Sequence, residues 1–307
     1  MDGDRMTLRR EPPRQVPSPT PHFTNQRDAL ALADAAAGAP TTGPHLLVFA
    51  GQPGIGKSEL ARFWVHRRAA DYPDGHFHVD LSDAPDTAGL VSTALREFLL
   101  AVDVAPSAIP DTLDGRAACF RTWSTGRRVA VVLDGVYAPS QVRMLRPGPG
   151  RSVVLVTAVA AVAELDSHAT VIDLEPLEEP FARTLLGHLA RPDRLAAEPE
   201  AARELLAMCA GLPIAVCVAG ALLKCRPHRL VSALVGELRD ERARLSGFSQ
   251  IRNKDVRAMF AAAYGRLGRE ARSGATVRSV RTRAAGPSPR RPCAPRCGCR
   301  RVRCPLR

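Results

Sequence analysis

Gly51-Gln52-Pro53-Gly54-Ile55-Gly56-Lys57-Ser58 fits the pattern G-x-x-x-x-G-K-[ST]. The spacing has a chemical reason. Glycines let the backbone curl so that successive N–H groups face phosphate oxygens. The lysine reaches the β/γ-phosphates, and the hydroxyl after it can ligate Mg2+. A helix following the loop turns its positive end toward the same anion. The alternative is a chance glycine-rich turn, and the context opposes it. His45–Ala50 before the loop is an apolar run suited to a buried parallel strand, and Glu59–Val65 after it has helical periodicity. Among 43 Lys+Arg, only Lys57, Lys224 and Lys254 are lysines, so chance rarely puts one here. Gly51, Gly54, Ile55, Gly56, Lys57, Ser58 and Glu59 are the candidate nucleotide-binding residues, for ADP or ATP.

Mg2+ needs a second holder. Enzymes with this loop add an acid at the end of a neighbouring buried strand. Asp134 closes the apolar run Val129–Leu133 and fills that place; with Ser58 it makes the candidate metal pair. The plain alternative is an acid that only ends a strand. Asp80 and Asp173 end shorter strands and follow less continuous runs.

The rest of the chain supplies an α/β frame. Strands are expected at 45–50, 75–81, 129–134, 152–157 and 170–174, with helices at 27–37, from 59, at 86–100 (Asp86 as cap), 113–123 and 138–145. Strands alternating with helices imply a parallel five-stranded sheet flanked by helices, the P-loop NTPase class. After Glu178 the strand signals stop. Helices at 181–190, 198–210, 214–224 and 227–238 imply a small all-helical domain. The expected divisions are a disordered or extended proline-rich lead-in (1–22), a nucleotide-binding domain (23–176), a helical domain (177–250), a further segment (251–267) with a helix at 256–267, and a disordered tail (268–307).

Charge is concentrated at that tail. Residues 268–307 carry 12 arginines against one acid, a net +11 of the chain's +12, so the first 267 residues are near neutral. Composition therefore does not mark the body as a nucleic-acid-binding globule; only sequence-independent contact by the tail is expected. Four of the eight cysteines, Cys293, Cys297, Cys299 and Cys304, also lie there, in a spacing unlike structural zinc sites and without histidine. The tail has neither apolar period, and its composition resembles out-of-frame translation of a GC-rich gene. No signal-peptide pattern or apolar run of membrane-spanning length is present, so a cytoplasmic, membrane-free protein is expected. Beyond the nucleotide, the expected partners are a second copy or a regulatory protein.

The order Phe23-Thr24-Asn25-Gln26-Arg27, Gly51–Ser58, Val129–Asp134, Leu155-Val156-Thr157 and Gly211-Leu212-Pro213-Ile214 resembles the NB-ARC class of STAND signalling ATPases, in the form found in AfsR/SARP-type bacterial transcriptional regulators. The resemblance spans about residues 20–267 and implies an ADP/ATP-dependent switch. It also implies that Phe23, Thr24, Asn25 and Pro213 approach the adenine and ribose, and that a winged-helix region begins near Asp255, cut short by the tail. Several positions depart from the family pattern. Gly135 stands where a second acid is common. Thr157-Ala158-Val159 lacks the arginine that senses the γ-phosphate, and Gln26 replaces an arginine. These departures favour binding over hydrolysis. If a cation is supplied from elsewhere, Arg151 and Arg183 are the first candidates. The rival readings are a turnover P-loop ATPase and a truncated interaction fragment without independent activity.

Overall fold

The computed structural model describes residues 11–82, 87–158 and 169–245. Asp86, Val159, the helix expected at 256–267 and the basic tail lie outside the described residues. Strands β1 (His45–Ala50), β2 (Gly75–Asp80), β3 (Val129–Val136), β4 (Val153–Ala158) and β5 (Thr170–Asp173) pair in parallel in the order β2-β3-β4-β1-β5.

Strand periodicity divides the side chains between two apolar layers. Leu46 and Val48 of β1 join Phe77, Val131, Leu133, Val154 and Val156 on one face. Leu47 and Phe49 join Ala130, Val132 and Leu155 on the other. Because both faces are covered, the strands read as unbroken apolar runs rather than alternating ones. Helices α3 (Thr87–Ala101), α4 (Leu113–Ser124) and α5 (Pro139–Leu145) cover the first face. Phe77, Phe98 and Phe120 interlock there, with the Phe77 and Phe120 rings edge to face at 5.5 Å between centroids. Helices α1 (Arg27–Gly38) and α2 (Lys57–Arg67) cover the other face, tied together where Trp64 Nε1 donates to Asp34 Oδ1 at 2.9 Å.

The same second core continues into α6 (Glu179–Ala190), α7 (Pro192–Ala197), α8 (Pro199–Cys209), α9 (Pro213–Lys224) and α10 (Val231–Leu245). Leu186, Leu205, Val216 and Leu234 from these helices are fully buried in the cluster that holds Phe49 and Trp64. All described residues fall in one compact unit.

Three details differ from the pattern expected from sequence. A short helix, α7, follows α6 after a break at Arg191, whose φ is +71°; Pro192 then opens the new helix. The last helix begins at Val231 rather than near Pro227. Arg194 donates to the carbonyls of Leu223 (2.6 Å) and Arg226 (2.7 Å), holding the intervening chain as a loop. The Glu198 carboxylate then accepts the N–H groups of Val231 and Ser232 at the positive end of α10. The third concerns the lead-in, expected to be disordered or extended. Its described part, residues 11–22, is ordered: residues 13–15 run extended beside β2, and the chain beyond them passes α2, where His66 Nε2 lies 3.2 Å from the Val16 carbonyl and 3.0 Å from the Pro17 carbonyl. The His76 N–H donates to the Pro13 carbonyl at 2.7 Å, the Gln15 N–H donates to the His76 carbonyl at 2.8 Å, and Val16 is buried. We call this segment the strap.

Burial pushes His45, His76 and His78 below the usual histidine range, helped by Arg151 beside His45, by Arg14 beside His76 and by Arg62 near His78, where Asp134 opposes the shift. Arg14 Nη1 donates to His76 Nε2 at 2.9 Å, a bond that needs the neutral ring. The unfolded chain therefore takes up protons first as pH falls through the ordinary histidine value. The stability from these groups is complete above that value and is lost below it. The melting temperature should fall steadily from pH 7.5 to pH 5.5, and His76→Asn should flatten part of the slope. A pH-independent melting temperature over this range would contradict the assignment.

Candidate functional site

The loop Gly51–Ser58 leaves the C-terminal end of β1 and enters α2 directly, so the first turn of that helix faces the loop's interior. Lys57 Nζ folds back onto the loop and donates to the carbonyls of Gly51 (2.7 Å) and Gln52 (3.0 Å). Burial lowers its pKa, an effect partly offset by the nearby Asp134 carboxylate. Ile55 is fully buried and anchors the loop from beneath. Gly54 has φ +82°, and a β-carbon there would lie 2.3 Å from Ile214 Cγ2 at the start of α9. The Ile214 N–H also donates to the Gly54 carbonyl at 3.3 Å.

Asp134 comes to the same place from β3. It is only 6% exposed. Ser58 Oγ donates to Asp134 Oδ1 at 2.6 Å, and the Thr157 hydroxyl at the end of β4 donates to the same oxygen. Thr157 Oγ1 also accepts the Gly135 N–H at 2.9 Å, where the β3–β4 register shifts. The serine proton is thus committed to the carboxylate, and the serine oxygen keeps lone pairs for a hard cation. Two hard oxygens side by side at the lysine end of the loop suit Mg2+. Lys57, Ser58, Asp134 and Thr157 line a cleft of about 440 Å³ with Pro53 and Ser82.

A second cavity, of about 110 Å³ and mostly apolar, lies on the far side of the loop. Phe23, Ile55, Gly56, Glu59, Pro213 and Cys217 are among its walls, with Leu177, Leu185 and Leu189. Phe23 stacks on Phe63 of α2, with 4.2 Å between ring centroids. The Gly211-Leu212-Pro213 turn is pinned by the Leu177 N–H, which donates to the Gly211 carbonyl at 2.8 Å. Of the residues singled out from sequence, Phe23, Ile55, Gly56, Glu59 and Pro213 meet here, while Lys57, Ser58 and Asp134 meet in the first cleft. Asn25 lines neither; its neighbours Thr24 and Gln26 line the second.

Sequence reasoning missed Arg62. Its guanidinium lies 3.0 Å from Glu59 Oε1 and 3.5 Å from Asp134 Oδ2. The signal was available, since Arg62 follows Ser58 by four residues and Glu59 by three on one helix face. Of the two arginines proposed as sources of charge, Arg151 precedes β4 at the opposite end of the sheet, beside His45, because β4 runs parallel to β1 and ends at the site. Arg183 pairs with Glu179 on its own helix at 2.9 Å.

No family model matches the chain. Two curated proteins do match: the regulatory protein AfsR of Streptomyces griseus is 37% identical over 257 residues, and that of Streptomyces coelicolor is 36% identical over 261. In both cases the match covers 83% of this chain and 26% of the relative, so the chain spans about a quarter of the length of the relatives it matches. The matched stretch is homologous to a segment of the AfsR regulatory proteins. Among solved structures, the Aeropyrum pernix ORC2 protein is 18% identical with a TM-score of 0.49, covering 80% of this chain and 81% of that one. The Walker-type ATPase PABY2304 of Pyrococcus abyssi is 11% identical with a TM-score of 0.49, covering 76% and 77%. Among the described residues, no helix is long and apolar enough to cross a membrane.

Gly135 shows why a second acid is missing. Its φ is +68°, and a β-carbon would lie 2.1 Å from Ser82 Oγ and 2.8 Å from Ser82 Cα. Gly135→Asp should therefore destabilise the fold by about 1–3 kcal/mol, read from urea unfolding, and adding Ser82→Gly should recover part of the loss. A Gly135→Asp variant as stable as the parent would mean that the strand end has room for an acid.

Proposed function

We propose that this chain binds ADP or ATP with Mg2+ and works as a nucleotide-dependent switch of the NB-ARC type within a transcriptional regulator. The observation that carries the reading is the convergence of Lys57, Ser58 and Asp134 at the C-terminal ends of β1 and β3, by the positive end of α2. Similarity to a segment of the AfsR regulatory proteins supports the regulatory setting.

In this reading, phosphates take the place of the Gly51 and Gln52 carbonyls as partners of Lys57. Ser58 and Asp134 hold Mg2+, which neutralises phosphate charge and orients the chain. The adenine and ribose occupy the cavity of Phe23, Ile55 and Pro213, with Asn25 near its rim. Residues 23–176 form the nucleotide-binding domain, and the helices within 177–250 form a second domain that responds to what the first has bound. Partners of the switch are a second copy or a regulatory protein. Hydrolysis is slow: Gly135 offers no base, and the cation nearest Asp134, Arg62, is already shared between two carboxylates.

Lys57→Ala should weaken ADP and ATP binding by about tenfold or more, the loss expected for charged hydrogen bonds to phosphate, while circular dichroism stays unchanged. Calorimetric titration measures it, and equal affinity in parent and variant would remove the P-loop assignment. Single-turnover ATP hydrolysis by the parent should run below about 0.01 s⁻¹, the range of P-loop proteins without an added cation. A rate near about 10 s⁻¹, the median of ordinary enzymes, would favour a turnover ATPase.

A further inference from the structure

Arg62 stands between two parts of the site. On one side is Asp134, 3.5 Å away, the carboxylate that also accepts from Ser58 and Thr157. On the other is Glu59, whose Oε1 takes the Arg62 guanidinium at 3.0 Å. The second oxygen of Glu59, Oε2, accepts the backbone N–H of Thr20 in the strap at 2.9 Å. The Thr20 carbonyl in turn accepts the Phe23 N–H at 3.3 Å, in the turn that sets Phe23 against Phe63. A continuous polar path therefore runs from the cleft of Ser58 and Asp134 to the apolar cavity. His78 and Asp80 are the other titratable groups near Arg62; burial lowers the pKa of His78, and the Ser82 hydroxyl and N–H lower that of Asp80.

We propose that Arg62 is a positioning residue that couples occupancy at Asp134 to docking of the strap. The inference rests on the nucleotide-binding reading above. One guanidinium shared by two carboxylates divides its attraction between them. When Mg2+ arrives with nucleotide and neutralises Asp134, the pull from that side falls and Arg62 moves fully onto Glu59. Glu59 is then fixed with Oε2 toward Thr20, and the strap tightens over the cavity. By linkage the effect is reciprocal: a docked strap holds Glu59 and Arg62 together and leaves Asp134 freer for the cation. Without Arg62, Asp134 loses a competing positive charge while Glu59 loses its orientation, so the two ends of the path respond in opposite directions.

The test uses the full chain and reads hydrogen exchange at the Thr20 amide in three states: free, with ADP in excess chelator, and with ADP and Mg2+. In the parent, Mg2+ should slow exchange beyond ADP alone by about two- to fivefold, the scale of a partly exposed ion pair. In Arg62→Gln this Mg2+-specific increment should vanish, exchange in the free protein should be faster, and the Mg2+ concentration needed to tighten ADP binding should drop. Glu59→Gln should also abolish the increment, and it carries the test if Arg62→Gln fails to fold by circular dichroism. Arg62→Lys should restore only part, since one ammonium cannot hold both carboxylates. An increment that persists in both neutral variants overturns the coupling. Failure of the parent itself to bind ADP in the control titration is a different result: it overturns the nucleotide reading and the coupling with it.

Discussion

The hydrogen bond from Ser58 to Asp134, 2.6 Å long, links the ends of two strands that never touch, β1 through its loop and β3 directly. β4 lies between them, and Thr157 at its end supplies a second proton to the same carboxylate. Three strand ends thus share one buried charge. Their parallel direction makes this possible, since it brings all three C-terminal ends to one edge of the sheet. A carboxylate so little exposed needs partners. The partners it has are the ones that leave an oxygen on Ser58 open toward the loop. The packing of the sheet and the chemistry of the site are therefore set by the same few atoms.

Much of this was legible in the sequence, because the signals were local. Eight residues fix the loop, and unbroken apolar runs mark strands buried on both faces. Asp134 follows the unbroken apolar run Val129–Leu133, and its distance from Ser58 in the chain is irrelevant once parallel pairing is assumed. What escaped depends on contacts across the chain. Arg62 draws its meaning from two carboxylates, one on another strand. Thr157 looked like the remnant of a missing arginine motif, yet it holds Asp134. The path of residues 13–15 is set by the backbone of His76 and that of Thr20 by Glu59, and proline-rich composition does not report a partner elsewhere in the chain.

The helices that follow the sheet belong to the loop's surroundings as much as to their own layer. Ile214 fills the space over Gly54, and Leu177 holds the Gly211 turn that delivers it. The absence of a side chain at position 54 is thus required by packing within the protein, independently of any phosphate.

The strap closes the outer side of β2, which would otherwise present unpaired N–H and C=O groups to other chains. Such open strand edges invite sheet-to-sheet aggregation. A single short bridge at Arg14 occupies this one, and it lies among Pro12, Pro13, Pro17, Pro19 and Pro21, residues without a backbone N–H to offer the next strand. The proline content of the lead-in thus has a second physical role: beside the last rung of the sheet it leaves few backbone N–H groups on which a further rung could be built.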